Sequence, residues 1–488
     1  MTQPSNSARS LFSAQRIGLW LGLLGLAISL IFPAPSGLSD PAWHTLGLAW
    51  LMALCWMSEA LPLAVTALLP IVLAPLLGLA AVRGVTASYA HPLIFLFLGG
   101  FVLGLAIQRW GLHERIALWI LRAIGGTPAS EIAGFMLATA FLSMWVSNTA
   151  TAIMMLPIAL SVIALRGSGG GEKVNAHYGP ALLLALAYSA SIGGMATLIG
   201  TPPNALLAAF MSQQYGVEIG FGQWLVVGLP VALLMLLLSW LWLARMVRTE
   251  NSSAGNHRQH FAQRLQQLGP MSTMEKRVAV VFALTALAWV TRPLLAQCLP
   301  QGAISDAGIA IASVVLLHVL PAGDASQNRL MNWDVAKTLP WGILLLFGGG
   351  LALAGIVQSS GLADAIAGAL AVLAQWPALL IVAAVVLTIV MLTEITSNTA
   401  TTAAFLPLLG ALALALNLPP MVLAAPAAIA ASCAFMLPVA TPPNAIVFSS
   451  GELRIAQMAR AGLALNVAGV VVVTAAGMAI LWLGLLGG

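Results

Sequence analysis

The stretch Ser147-Asn148-Thr149-Ala150-Thr151 returns at an offset of 250 (397 − 147) as Ser397-Asn398-Thr399-Ala400-Thr401. Each copy is a small island of hydroxyls and amides in apolar sequence, followed at the same distance by a proline, Pro157 or Pro407. A second pair of interruptions, Gly200-Thr201-Pro202-Pro203-Asn204 and Ala440-Thr441-Pro442-Pro443-Asn444, is duplicated too. Hydroxyls, asparagine oxygens and carbonyls freed by a helix break are hard donors, matched to a small cation such as Na⁺. Free helix N-termini with asparagine and threonine donors suit an anion, typically a carboxylate or sulfate. Asn148 and Asn398 can serve either ligand, because an amide offers an oxygen on one side and two N–H on the other.

Spacing sharpens the cation reading. Ser143 lies four residues before Ser147, and Thr393 four before Ser397. On a helix leading into each island, such pairs share a face. Ser143, Ser147 and Asn148 are therefore expected to line one cation site, and Thr393, Thr396 and Asn398 its twin. A single intramembrane hydroxyl is equally well explained by a bond back to the i−4 carbonyl; the duplicated cluster is not. None of the four interruptions contains lysine or arginine. An anion there would rely on helix dipoles, side-chain donors and co-bound cations, which makes cation coupling physically reasonable. Glu394 is the one acid in these runs. It could be a proton acceptor, a cation ligand or a structural acid, and its counterpart is Met144 (394 − 250).

The elements that position these residues follow from composition. The chain has 488 residues, of which 60% are hydrophobic and 7% charged, with mean hydropathy +0.99. Soluble domains carry about 25% charged residues. An all-α polytopic membrane protein in a lipid bilayer is expected, since so much apolar surface has no soluble interior to fill. The net charge of +5 is dispersed and gives no nucleic-acid signal. Cys55, Cys298 and Cys433 show no paired spacing, so neither a disulfide framework nor a metal site is expected. No nucleophile–base pair or metal cluster is spaced for an intramembrane enzyme, and a passive channel leaves the paired interruptions unexplained.

Residues 1–41 read as a tail and a first transmembrane helix rather than a cleaved signal, because the chain stays hydrophobic afterwards. Residues 42–247 and 277–488 read as two repeats joined by a polar cytoplasmic linker, 248–276. Phe97-Leu98-Gly99-Gly100 pairs with Phe347-Gly348-Gly349-Gly350, and Gly111 with Gly361. The offset falls to 240 at the Pro-Pro motifs (442 − 202), which places ten extra residues in the Gly/Ser-rich stretch 166–179. If 130–165 and 377–416 are re-entrant hairpins and the N-terminus is cytoplasmic, 17 of the 19 lysines and arginines fall inside. Only Arg83 and Arg292 fall outside. The repeats are then inverted, the C-terminus is extracytoplasmic, and one hairpin opens from each side. Inverted repeats with interrupted helices are the sequence pointer to a secondary transporter that binds near the midplane.

From about residue 40 to its end the chain resembles the divalent anion:sodium symporter family, the INDY-like carboxylate transporters. The resemblance rests on Ser147-Asn148-Thr149, Ser397-Asn398-Thr399, Thr201-Pro202-Pro203-Asn204, Thr441-Pro442-Pro443-Asn444 and the polar linker. It implies eleven transmembrane helices with two re-entrant hairpins, a homodimer, and a scaffold that carries a transport domain moving as an elevator. It also implies two or more Na⁺ as coupling ions and no organic cofactor. One cation site would lie around Ser143, Ser147, Asn148 and Gly200, the other around Thr393, Thr396, Asn398 and Ala440. The substrate dianion would meet Asn148, Thr149, Ser397, Asn398, Thr399, Thr441 and Pro442, with Thr201 and Pro202 from the other break. The leading expectation is Na⁺-coupled uptake of a C4-dicarboxylate such as succinate, malate or fumarate across the plasma (inner) membrane. The alternatives are a Na⁺-independent di- or tricarboxylate exchanger, or a carrier of citrate, tartrate, 2-oxoglutarate or sulfate.

Overall fold

The structure is a computed structural model and describes residues 14–124, 127–169, 175–247, 255–300, 302–323, 328–370 and 375–487. A bilayer offers no water to backbone groups, so an apolar chain satisfies them within helices. The described residues accordingly form helices, with one isolated β-bridge between Pro321 and Arg329. The chain opens with α1 (Ala14–Ile31) and α2 (Asp40–Ser58), then the short α3 (Leu63–Thr66), α4 (Leu69–Leu76) and α5 (Val82–Ala87). Next come α6 (Pro92–Arg109), α7 (Leu112–Ile124), α8 (Pro128–Ser143), α9 (Asn148–Gly169), α10 (Asn175–Met195), α11 (Pro202–Tyr215) and α12 (Phe221–Met246). The second half holds α13 (Gly255–Gln267), α14 (Thr273–Leu295), α15 (Asp306–Val319), α16 (Trp333–Ala336), α17 (Trp341–Ser359) and α18 (Leu362–Leu370). It ends with α19 (Ala378–Thr393), α20 (Asn398–Ala415), α21 (Met421–Ala430), α22 (Pro442–Phe448) and α23 (Ile455–Leu483).

Among the described residues, nine helical stretches are long and apolar enough to cross a membrane. The apolar residues 61–80 form two short helices, α3 and α4, because Pro70, in the first turn of α4, has no N–H to reach back to Thr66 O. The polar linker contains a helix, α13; its residues 248–254 lie outside the described residues, as do 170–174 of the Gly/Ser-rich stretch.

Matching glycines turn α6 into α7 and α17 into α18. Gly111 and Gly361 have φ of +73° and +79°, a left-handed conformation that glycine adopts without steric cost. Helix α7 buries Leu112, Arg115, Leu118 and Leu121, spaced by three. Buried Arg115 grips Glu275 at the start of α14, with Nε to Oε1 at 2.7 Å, and donates to Gly269 O at 2.9 Å. The two halves also interlock. Phe97 and Phe347, equivalent in sequence, meet edge to face with centroids 5.0 Å apart. Gly99 on α6 lies against Ala310 on α15, and Gly349 on α17 against Ala67. Further along, α11 packs on α20 and α22 on α9, so each Pro-Pro helix rests on the hairpin of the other half.

Candidate functional site: a cavity at four helix breaks

Each Ser-Asn-Thr island is the turn of a helical hairpin. Helix α8 ends at Ser143 and α9 begins at Asn148; α19 ends at Thr393 and α20 begins at Asn398. The arms α8 and α19 have 16 residues each, about 24 Å of helix, short of the roughly 30 Å hydrocarbon core. The Pro-Pro motifs restart interrupted helices. Proline at the first helical position costs no hydrogen bond, because that N–H has no intrahelical partner anyway. Pro202 opens α11 and Pro442 opens α22 in this way.

All four interruptions border one cavity of about 730 Å³. Its lining contains Ser147, Asn148, Thr149, Gly200, Thr201, Pro202, Thr396, Ser397, Asn398, Thr399, Ala440, Thr441 and Pro442. Four helices thus start at its wall, at Asn148, Pro202, Asn398 and Pro442. Helix starts carry unpaired N–H groups and the positive end of the helix dipole, which favours an anion. Among the described residues the lining holds no lysine or arginine, and its one acid is Glu59, at the end of α2. Ala14, Gln15 and Ser58 also line it, so the cavity extends to the end of the molecule where α1 begins and α2 ends.

Ser143 and Thr393 do not line the cavity. They lie fully buried behind the two asparagines. Ser143 Oγ is 2.7 Å from Asn148 Oδ1 and 2.6 Å from Ala190 O. Thr393 Oγ1 is 2.7 Å from Asn398 Oδ1 and 2.8 Å from Ala431 O. In each half one hydroxyl proton faces two acceptors and can satisfy one. Gly200 O joins the first cluster: with the Asn148 amide turned over, its nitrogen would reach Ser143 Oγ, Ala190 O and Gly200 O at 2.7, 3.1 and 3.2 Å. In that orientation the amide protons satisfy the first cluster, whereas at Thr393–Asn398 the surplus of oxygens over protons stands, the donor set a small hard cation satisfies. The packing leaves no room for a side chain. A Cβ on Gly194 would lie 2.6 Å from Asn148 Oδ1, and one on Gly200 would lie 2.5 Å from Gly194 O.

Thr396, expected from spacing and from the resemblance to serve the second site, lines the cavity with its hydroxyl already engaged. Oγ1 is 2.8 Å from Leu392 O and 2.6 Å from Thr401 Oγ1. Glu394 is buried and faces the neighbouring break. Its Oε1 accepts from Phe435 N, Met436 N and Asn466 Nδ2 at 2.8, 2.9 and 2.7 Å, and its Oε2 accepts from Leu437 N at 3.0 Å. Of the three roles open to this acid, the geometry is that of a structural brace.

Several residues at the site escaped sequence reasoning. Ala190 and Ala431 contribute backbone oxygens, which any residue type supplies. Their matching roles correspond to an offset of 241 (431 − 190), so one of the ten extra residues lies between Ala190 and Gly194, near the end of α10, and not in the Gly/Ser-rich stretch. Thr197 ties the first tip to its break, donating to Met144 O at 2.6 Å and accepting from Gly200 N at 2.9 Å. Asn204 and Asn444 were visible in the Pro-Pro motifs, but only the fold shows which carbonyls they gather.

Comparison with known proteins agrees with this architecture. The sodium-dependent dicarboxylate transporter SdcS of Staphylococcus aureus (strain USA300) is 42% identical over 470 residues, covering 95% of this chain and 90% of the relative. The SdcS protein of Staphylococcus saprophyticus is 40% identical over 467 residues, 94% and 90% of the two chains. Among solved structures, the YdaH transporter of Alcanivorax borkumensis has the same overall fold, with a TM-score of 0.62 at 15% identity over 98% of this chain and all of that one. MtrF of Neisseria gonorrhoeae, described in a class of antimetabolite efflux pumps, gives 0.61 at 12% identity over 97% and 96%. These relatives are transporters, not enzymes. Residues 14–487 match the family described as the sodium:sulfate symporter transmembrane region, and the chain belongs to that family, a group of membrane-embedded carriers.

Proposed function

We propose that the protein is a secondary transporter that moves a C4-dicarboxylate into the cell together with Na⁺. The observation that carries this reading is the pairing of one cavity, ringed by four helix starts, with two buried oxygen clusters at Ser143–Asn148 and Thr393–Asn398. The 40–42% identity to relatives named as sodium-dependent dicarboxylate transporters supports the same ligands. Asn148, Thr149, Ser397, Asn398 and Thr399 would hold the two carboxylates from opposite walls, with Thr201, Pro202, Thr441 and Pro442 adding the helix starts. Na⁺ would bind between each asparagine and its hydroxyl partner, with carbonyls of Gly200 and Ala440 completing the sites. Two ions so placed would offset the substrate charge in a cavity whose described lining holds no cationic side chain.

The membrane arrangement belongs to the same proposal: two inverted repeats (42–247 and 277–488), re-entrant hairpins, a cytoplasmic N-terminus, an extracytoplasmic C-terminus and a homodimer in the plasma membrane. A cavity reaching the start of α1 is then open to the cytoplasm, and an elevator movement of the hairpins would carry it outward. The family description names sulfate, which makes a sulfate carrier the second reading. Uptake of labelled succinate, citrate and sulfate into proteoliposomes decides among these, run with and without an inward Na⁺ gradient and with internal dicarboxylate. Saturable succinate uptake that requires Na⁺ is expected. Equal uptake without Na⁺, driven by internal dicarboxylate, would replace symport by exchange, and preference for sulfate would replace the substrate.

A further inference from the structure

The two Pro-Pro motifs end in Asn204 and Asn444, both fully buried at the third position of a helix. Neither lines the cavity. Asn204 Nδ2 lies 3.3, 3.1 and 2.8 Å from the carbonyls of Gly194, Met195 and Thr197. Asn444 Nδ2 lies 3.2 and 3.0 Å from those of Ala434 and Leu437, the counterparts of Gly194 and Thr197 at an offset of 240. The same geometry thus occurs twice. Gly194 and Met195 end α10, while Thr197, Ala434 and Leu437 lie in the non-helical segments before the prolines, so these carbonyls have no intrahelical donor. The asparagine amide supplies the donors instead. Both Oδ1 atoms are buried without a partner, so each side chain acts here through its donors alone.

Those carbonyls stand directly behind the cation clusters. Gly194 packs against both Asn148 and Gly200. In the second half Leu437 O, held by Asn444, also accepts from Ala440 N at 3.2 Å. We propose that Asn204 and Asn444 are positioning residues for cation binding, each fixing the broken helix and, through it, the oxygen cluster of its own half. The inference rests on the Na⁺-coupled reading and adds that each cluster has its own clamp.

The test uses full-length protein and two readouts, thermal stabilisation by Na⁺ without substrate and Na⁺-dependent uptake in proteoliposomes. Na⁺ dependence of the unaltered protein comes first; uptake indifferent to Na⁺ would remove the parent reading and this one together. Asn204→Ala and Asn444→Ala should each raise half-saturating Na⁺ about tenfold by loosening two to three buried hydrogen bonds. Substrate KM at saturating Na⁺ should stay within about twofold, because no group that meets the substrate has changed. Asn→Asp keeps the shape and the idle oxygen but removes the donors, so it should be at least as damaging as Asn→Ala. Near-normal Na⁺ affinity in the aspartate variants would overturn the proposal.

Coupling separates positioning from a general structural role. Asn204→Ala combined with Ser143→Ala should fall short of additivity, and combined with Thr393→Ala should be additive. Asn444→Ala should show the reverse. Equal coupling to both clusters would overturn the proposal, as would failure of all four single variants to yield folded protein, since the claimed effect is confined to one break at a time.

Discussion

The two hairpin tips share a sequence and differ in what holds them. At the first tip the brace is a hydroxyl, with Thr197 bonded to Met144 O and Gly200 N. At the second, the residue in place of Met144 is Glu394, and its carboxylate collects three backbone N–H groups and the Asn466 amide. The reason lies in the helix behind each tip. Helix α10 runs to Met195, whereas α21 stops at Ala430 and leaves residues 431–441 outside a helix before α22. Phe435, Met436 and Leu437 therefore need an acceptor that their counterparts do not. The ligand-facing groups are duplicated, while each brace answers a local backbone requirement.

The largest effect should fall on both tips alike. Asn148→Ala or Asn398→Ala removes a group common to a cation cluster and the cavity wall. Uptake should drop by about a hundredfold or more, the loss expected when a charge-assisted, transport-critical contact of about 3 kcal/mol disappears, while membrane-inserted protein persists. Near-normal uptake by either variant would sink the shared site.

The braces should break the symmetry. Glu394→Ala strands one buried and two partly buried backbone donors and the buried Asn466 amide, so the folded state should lose about 3 kcal/mol or more. Thr197→Val at the other tip leaves one donor and one acceptor unmet and should cost about 1–2 kcal/mol. Thermal unfolding in detergent measures both. Equal losses would mean that the longer second break does not depend on its carboxylate.

Next in size are Ser143→Ala and Thr393→Ala. Each removes one oxygen from a cluster and frees the Ala190 or Ala431 carbonyl from its hydroxyl. Half-saturating Na⁺ should rise about tenfold in each, the equivalent of about 1.4 kcal/mol, with a smaller change in substrate KM. A change in substrate selectivity alone would refute the cation assignment.

Much of the site was legible because its chemistry is written in side chains. Ser143, Asn148, Thr393 and Asn398 combine the right groups with helical spacing, and duplication separates them from incidental hydroxyls. Less was legible where the backbone does the work. The carbonyls of Ala190 and Ala431 carry no compositional mark, and the one extra residue between Ala190 and Gly194 appears only when those oxygens are matched. Long-range packing, such as Gly99 on Ala310, has no local pattern to announce it. Hydropathy registers the apolar residues of 61–80 and not the donor missing at Pro70, where the stretch divides into two short helices. Glu394 was ambiguous for a related reason: its partners are N–H groups of a segment that leaves helical form despite an apolar sequence.

Thr396 gives the smallest and sharpest comparison. Its counterpart in the first half is Val146 (396 − 250), so one tip already lacks this hydroxyl. There the equivalent of Thr401 is Thr151, whose Oγ1 is buried without a partner. The first half thus displays the arrangement that Thr396→Val would create in the second. In the second half the hydroxyl is spent on Leu392 O and Thr401 Oγ1, leaving the backbone carbonyl as the oxygen available to a cation. Thr396→Val should therefore change half-saturating Na⁺ by no more than about threefold, the scale of one neutral hydrogen bond of under 1 kcal/mol. A tenfold rise would show that the hydroxyl itself binds the ion, and that the two cation sites differ in their ligands as well as in their braces.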